Sequence, residues 1–261
     1  MVFKMQLSKV FRRPDVIVSL ILAIVIPIGM AIMLTNGSGA VSFGGSTSLP
    51  IPGIGWLCGV VGFTKGLMIP HILLAIIVSS LVAGEVADGV DVLFVAKAPS
   101  RKSYVASKIA AVLAVVLAIA FLFIFSSIIS WKIILPTSSD FSGSVLLSNK
   151  SSENIQSIAM VLLSLFELMF TAMVFFVISL LTRRQYLAML ACFLLLTFQK
   201  ILESIESIRE FVPTYIGNGS DLFALSGTDL SVRINLNSVY LIVLIVLSIV
   251  IVFFRYSRMD L

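Results

Sequence analysis

The chain has 261 residues, of which 59% are hydrophobic and only 12% charged, and its mean hydropathy is +1.13. Soluble domains carry about 25% charged residues, so this composition excludes an ordinary soluble domain and points to an integral membrane protein. The net charge of +5 does not signal nucleic acid, because the basic residues flank apolar runs and form no compact patch.

The opening stretch MVFKMQLSKVFRRPD places Val2, Phe3, Leu7, Val10 and Phe11 at helical spacing among basic residues. Over residues 1–15 this predicts an amphipathic helix lying along the cytosolic leaflet, apolar side down and lysines toward the headgroups. Pro14 marks the turn into the membrane. A helix needs about 20 mostly apolar residues to cross the hydrocarbon core, and the first such run covers about 16–34. It exceeds the ~7–15-residue apolar core of a signal peptide, so a retained helix is expected, bent at Pro27.

Asn36 to Pro52 is uncharged and rich in Gly and Ser, and reads as a loop. The further spans are expected at about 57–83, 105–131, 158–181, 185–201 and 238–256. The fifth is short. It runs on into QKILESIESIREF, where Phe198, Ile201, Leu202, Ile205 and Ile208 share one helical face. That pattern predicts an amphipathic continuation, interfacial or re-entrant, before the last span. The expected fold class is therefore an all-α membrane protein with six transmembrane helices, an N-terminal interfacial helix and a re-entrant or interfacial helical hairpin between spans five and six, all in one domain over 1–261.

With a cytosolic N-terminus, the inside carries Lys4, Lys9, Arg12, Arg13, Lys97, Arg101, Lys102, Lys108, Arg183, Arg184, Arg255 and Arg258. The outside carries Lys65, Lys132, Lys150, Lys200, Arg209 and Arg233. This asymmetry fits the positive-inside rule and implies a multi-pass cell-membrane protein with both termini cytoplasmic.

No catalytic constellation stands out, and no metal or cofactor motif is present. Cys58 and Cys192 read as small apolar packing residues. GVVGFTKG, Gly59 to Gly66, has the wrong spacing for a phosphate-binding loop. Glu167 is the one carboxylate deep in a span; burying such a charge costs about 2.5–3.5 kcal/mol on insertion scales. It calls for a partner or a cavity, either as a polar contact in a translocation path or as a paired Glu joining helices. His71 follows Pro70 and reads as a packing histidine beside a kink, with a substrate or proton role as the alternative.

The segment between spans two and three, GEVADGVDVLFVAKAPSRKSYVASK, is acidic at its start and basic at its end. Glu85, Asp88 and Asp91 suit the positive end of a short helix dipole. Pro99 would end that helix and Ser100 would cap the next. Val92, Leu93, Phe94 and Val95 form an apolar knob on a charged loop, as a docking site for a soluble partner would, while a solvated loop on the headgroups is the alternative.

The run Glu85-x-x-x-Gly89, then Pro99-Ser100-Arg101 and Lys108, resembles the segment between helices two and three of ABC-2 type transporter permeases. Val90 stands where that family usually has Thr. The resemblance implies an exporter's membrane-spanning subunit, with Glu85, Asp88, Gly89, Asp91, Leu93, Phe94, Pro99 and Arg101 docking on a separate ATP-binding cassette subunit. It implies a second permease subunit, identical or not, and places ATP and Mg on the partner and no cofactor on this chain. The few polar residues in the spans favour hydrophobic or amphipathic cargo, a peptide, lipid or drug, passing Glu167 and His71. Rival classes are a membrane anchor for a cytosolic complex, a membrane-embedded enzyme using Glu167 and His71, and a self-sufficient transporter. The last would show broken helices and several intramembrane charges, which the sequence does not make evident.

Overall fold

In a computed structural model, the described residues are 2–35, 53–89, 100–134, 151–225 and 227–257. They contain no strand, and six of their helices are long and apolar enough to cross a membrane. Helices suit that environment because every backbone N–H and C=O is satisfied within the segment. Residues 36–52 and 135–150, and Asp91, Leu93, Phe94 and Pro99 of the expected docking segment, lie outside the described residues.

Helix α1 spans Val2–Phe11 and α2 spans Pro14–Thr35, with Pro14 at its start where a missing N–H costs nothing. The second span comes as two helices. α3, Gly53–Gly66, ends at a break through Leu67 and Met68, and α4, Ile69–Ala87, resumes beyond it. Met68 sits in the left-handed region at φ 57°, an uncommon conformation for a residue with a side chain. Pro70, near the start of α4, could not have continued the helix from the preceding turn without clashing with it. Near its end α4 widens into one π turn, Ser80–Gly84, before Glu85–Ala87.

α5 runs from Arg101 to Ile134, and the Ser103 N–H donates to Ser100 Oγ at 3.1 Å, the cap expected of Ser100. α6, Ser151–Thr182, turns back through Arg183 (φ 53°) into α7, Gln185–Glu203. The short α8, Pro213–Asn218, and the final α9, Gly227–Ser257, complete the chain.

α6 is the hub, packed by α3, α4, α5, α7, α8 and α9, while α2 lies against α5. Leu74, Ile77, Val78 and Leu81 of α4 meet Val112 and Val115 of α5, Met173 and Phe176 of α6, and Cys192 of α7 in the main core. Cys58 and Cys192 are both buried free thiols on separate helices. One end of the bundle gathers α1, the end of α4, the start of α5 and the last turn of α9, where Tyr256 and Tyr104 rings lie 6.0 Å apart. We call this the basic end.

One expectation changes. The helical face of Phe198, Ile201 and Leu202 does not extend to Ile205 and Ile208, because α7 stops at Glu203 and Ser204 donates its hydroxyl to the Ile201 carbonyl. Ile205 and Ile208 fall in turns. Helix α1, expected as the interfacial helix, packs on α5 with Gln6 and Val10 buried, while its Phe3 and Met5 stay exposed.

Candidate functional site

The break in the second span sets up the central cluster. Lys65 lies in the last turn of α3 and His71 in the first turn of α4, so the two flank the break. Both reach the same carboxylate, Glu167, midway along α6. Lys65 Nζ stands 2.8 Å from Oε2 and His71 Nε2 stands 2.9 Å from Oε1. Thr171, one turn along α6, donates its hydroxyl to Oε1 at 2.8 Å. All four side chains are buried.

When the imidazole is neutral, its contact with a carboxylate oxygen puts the proton on Nε2. Nδ1 is then a buried acceptor with no hydrogen-bond partner. The Lys65 ammonium has Glu167 Oε2 as its close partner, 2.8 Å away. Buried charges persist where they are paired and hydrogen-bonded. Glu167 meets that condition through three partners, and Lys65 meets it through Glu167 alone among the described residues.

A segment outside the six spans closes over the cluster. A Cβ on Gly217 would lie 2.5 Å from Glu167 Cβ and 2.6 Å from Lys65 Nζ, so only glycine allows α8 to come this close. Ser164 donates to the Gly217 carbonyl at 2.6 Å. From there the chain passes along α6 toward its start: Gly219 rests against Met160, and Gln156 donates to the Leu225 carbonyl. Asn218, which begins the sequence Asn-Gly-Ser, is thus only partly exposed beside this contact. On the outer face of α8, Tyr215 donates to Asp221 at 2.5 Å; partial burial, then the bond and charge of Asp221, push its phenol above the ordinary value.

Beside the cluster lies a partly enclosed cavity of about 80 Å³ among α2, α3, α4, α5 and α6. Its walls are apolar apart from Ser19, Thr64, Ser164 and Lys65. It opens where the helix break leaves the second span unable to pack continuously against α5 and α6.

The second charged constellation lies at the basic end. Glu85 is 2% exposed and is gripped by Lys9 of α1 at 2.8 Å, by Arg13 at 3.0 Å and by Lys108 of α5 at 3.1 Å. Arg13 also donates to Ser80 in the π turn at 2.8 Å. Glu85 is therefore turned into the subunit. Asp88, Gly89 and Arg101 are exposed on either side of residues 90–99, and Gly89 takes a left-handed φ of 67°.

Of the residues singled out in the sequence, the structure joins His71 with Glu167 and keeps Glu85 apart from both. The residue that sequence reasoning missed is Lys65. The charge count places it with the outside cations although it falls within the second span expected at 57–83, and it is 4% exposed at the depth of Glu167. The signal was present in the unbroken apolar run on both sides of it. The broken span and the three converging titratable groups are also features that the sequence did not make evident. Among the described residues no group of three or more His, Cys, Asp or Glu converges, and Lys65 already fills the cation's place at Glu167. No protein-family model matches the chain, and no curated protein matches it.

Proposed function

We propose that this multi-pass helical chain is the membrane-spanning permease subunit of an exporter, of the ABC-2 type, driven by a separate ATP-hydrolysing subunit. The observation that carries the reading is the Glu85 junction. It binds the N-terminal helix, the end of the second span and the start of the third into one unit, directly beside the exposed Asp88 and Arg101. A partner pressing on the loop 90–99 would move spans two and three together, and a ligand or partner shifts an equilibrium only through such differential contacts. The apolar cavity by Lys65 supports a hydrophobic or amphipathic cargo.

The test is affinity purification of the tagged chain in mild detergent beside an Asp88→Arg, Arg101→Glu variant. These residues are exposed, so charge reversal leaves the Glu85 junction intact. An ATP-hydrolysing chain that accompanies the parent and is lost from the variant is the expected result. A folded parent that retains none overturns the reading.

A second reading, a transporter that needs no ATPase, is favoured by one observation: the second span is broken beside three buried titratable groups. It predicts uptake or efflux in vesicles holding this chain alone.

A further inference from the structure

Four polar residues stand in the wall of the cavity among α2, α3, α4, α5 and α6, and the protons of all four are engaged elsewhere. Ser19 donates to the Asp15 carbonyl, Thr64 to Val60 and Val61, and Ser164 to Gly217. The Lys65 ammonium is enclosed and held on Glu167 Oε2 at 2.8 Å, so only its methylene stem borders the space. The rest of the wall is hydrocarbon, from residues such as Ala23, Ile26, Leu74, Val116 and Phe123. A buried water makes about three hydrogen bonds, to donors as well as acceptors. This wall has no side-chain donor free, which leaves the space to apolar matter.

Size and surroundings then decide the occupant. An engineered apolar cavity of ~150 Å³ stays dry and takes benzene. This one, about 80 Å³, has room for the end of an alkyl chain and none for a headgroup. An empty void deprives its lining of dispersion contacts. In a chain with six helices apolar enough to span a membrane, the nearest matter to restore them is a lipid tail. An acceptor oxygen carried in with the tail would find no donor, and a charged end would be buried without a partner.

We propose that this cavity binds the methyl end of an alkyl chain, which enters tail first and leaves its polar head outside the bundle. The chain belongs to a membrane lipid or to an amphipathic cargo. This deepens the transport reading by naming the part of a cargo that is held, and rests on it only for the claim that the bound chain is carried.

The experiment places the purified full chain in lipid nanodiscs with two photoreactive probes, each carrying a diazirine near its methyl end. One is a phosphatidylcholine, the bilayer source; the other is a single-chain alkyl maltoside, the amphipath. Mass spectrometry maps the label. Leu74 and Val116 are only 3% and 2% exposed and line the cavity, so label on them reports its occupant. Phe121 and Phe125, exposed on α5, report bulk lipid. One probe or both should mark Leu74 and Val116, and the probe that does so names the source. Ala120→Phe, which fills the cavity from α5, should lower that label at least tenfold relative to Phe121. Ala23→Leu, which fills it from α2, should do the same and keeps the test decisive if the first variant does not fold. Decane should displace the label, whereas the matching diketone, with a carbonyl beside each terminal methyl group, should need at least tenfold more at equal content in the bilayer. No label on Leu74 and Val116 from either probe, label unchanged in the folded variants, or the diketone competing as well as decane would each overturn the proposal. Cavity label without a co-purifying ATPase sinks the ATP-driven reading alone; an ATPase without cavity label sinks this one alone.

Discussion

Glu85 and Glu167 are both carboxylates buried to within 2% of full enclosure, and the protein treats them in opposite ways. Glu85 has three cations, two of which, Lys9 and Arg13, still reach the surface at 28% and 20% exposure. Glu167 has one cation, one imidazole and one hydroxyl, all enclosed. The first site carries a surplus of positive charge that solvent and headgroups can screen; the second is balanced within itself because nothing outside can balance it. The junction at the basic end is therefore built to tolerate loss of a partner, and the mid-bundle cluster is not.

That contrast is sharpest in its largest expected effect. Glu167→Gln strands the Lys65 ammonium in the bundle and should cost about 3–5 kcal/mol of stability, whereas Glu167→Leu combined with Lys65→Met should recover most of it. Thermal unfolding in detergent measures both, and a double variant no better than the single one would show that packing, not stranded charge, dominates. Next comes Gly217→Ala, which drives a methyl group into Glu167 and Lys65 and should cost about 1–3 kcal/mol. Gly66→Ala is its control: nothing lies within 4 Å of the added carbon, so the change should be neutral or stabilise by about 0.5–1 kcal/mol. The smallest effect should be Glu85→Gln, about 1–2 kcal/mol, since two of its cations can turn to water and the third, the enclosed Lys108, keeps the face of the Tyr104 ring 5.7 Å away. Its clearer sign would be faster proteolysis within α1. If Glu85→Gln proved costlier than Glu167→Gln, the contrast between the sites would be reversed.

The six apolar helices were legible because lipid imposes a length and composition on any spanning segment. Glu167 and His71 were legible as exceptions to that composition. What escaped was how the chain interrupts itself. The break at Leu67 and Met68 falls on two apolar residues, and the left-handed position is occupied by Met, not Gly. The flanking Gly66 and Pro70 were the local hint, but hydropathy runs straight through them. Once the break is missed, Lys65 looks like a loop charge, and the relation of Lys65 to His71 across it cannot be seen. The closure by Gly217 was equally silent, since it depends on contact between segments some fifty residues apart. At the end of α4, charge pattern identified Glu85 as important, but only the fold shows that it points inward.

The π turn at Ser80–Gly84 carries a consequence for insertions and deletions. Such a turn accommodates one residue more than an α-helix would, and each α-helical residue advances the helix by about 100°. Removing a single residue from this stretch would relax the backbone to ordinary α geometry. Because the π turn already holds that extra residue, the end of α4 would keep its phase and Glu85 its place among Lys9, Arg13 and Lys108. Removing a second residue would turn the end of α4 by about 100°, so this stretch can lose one residue but not two before the segment that follows is uncoupled.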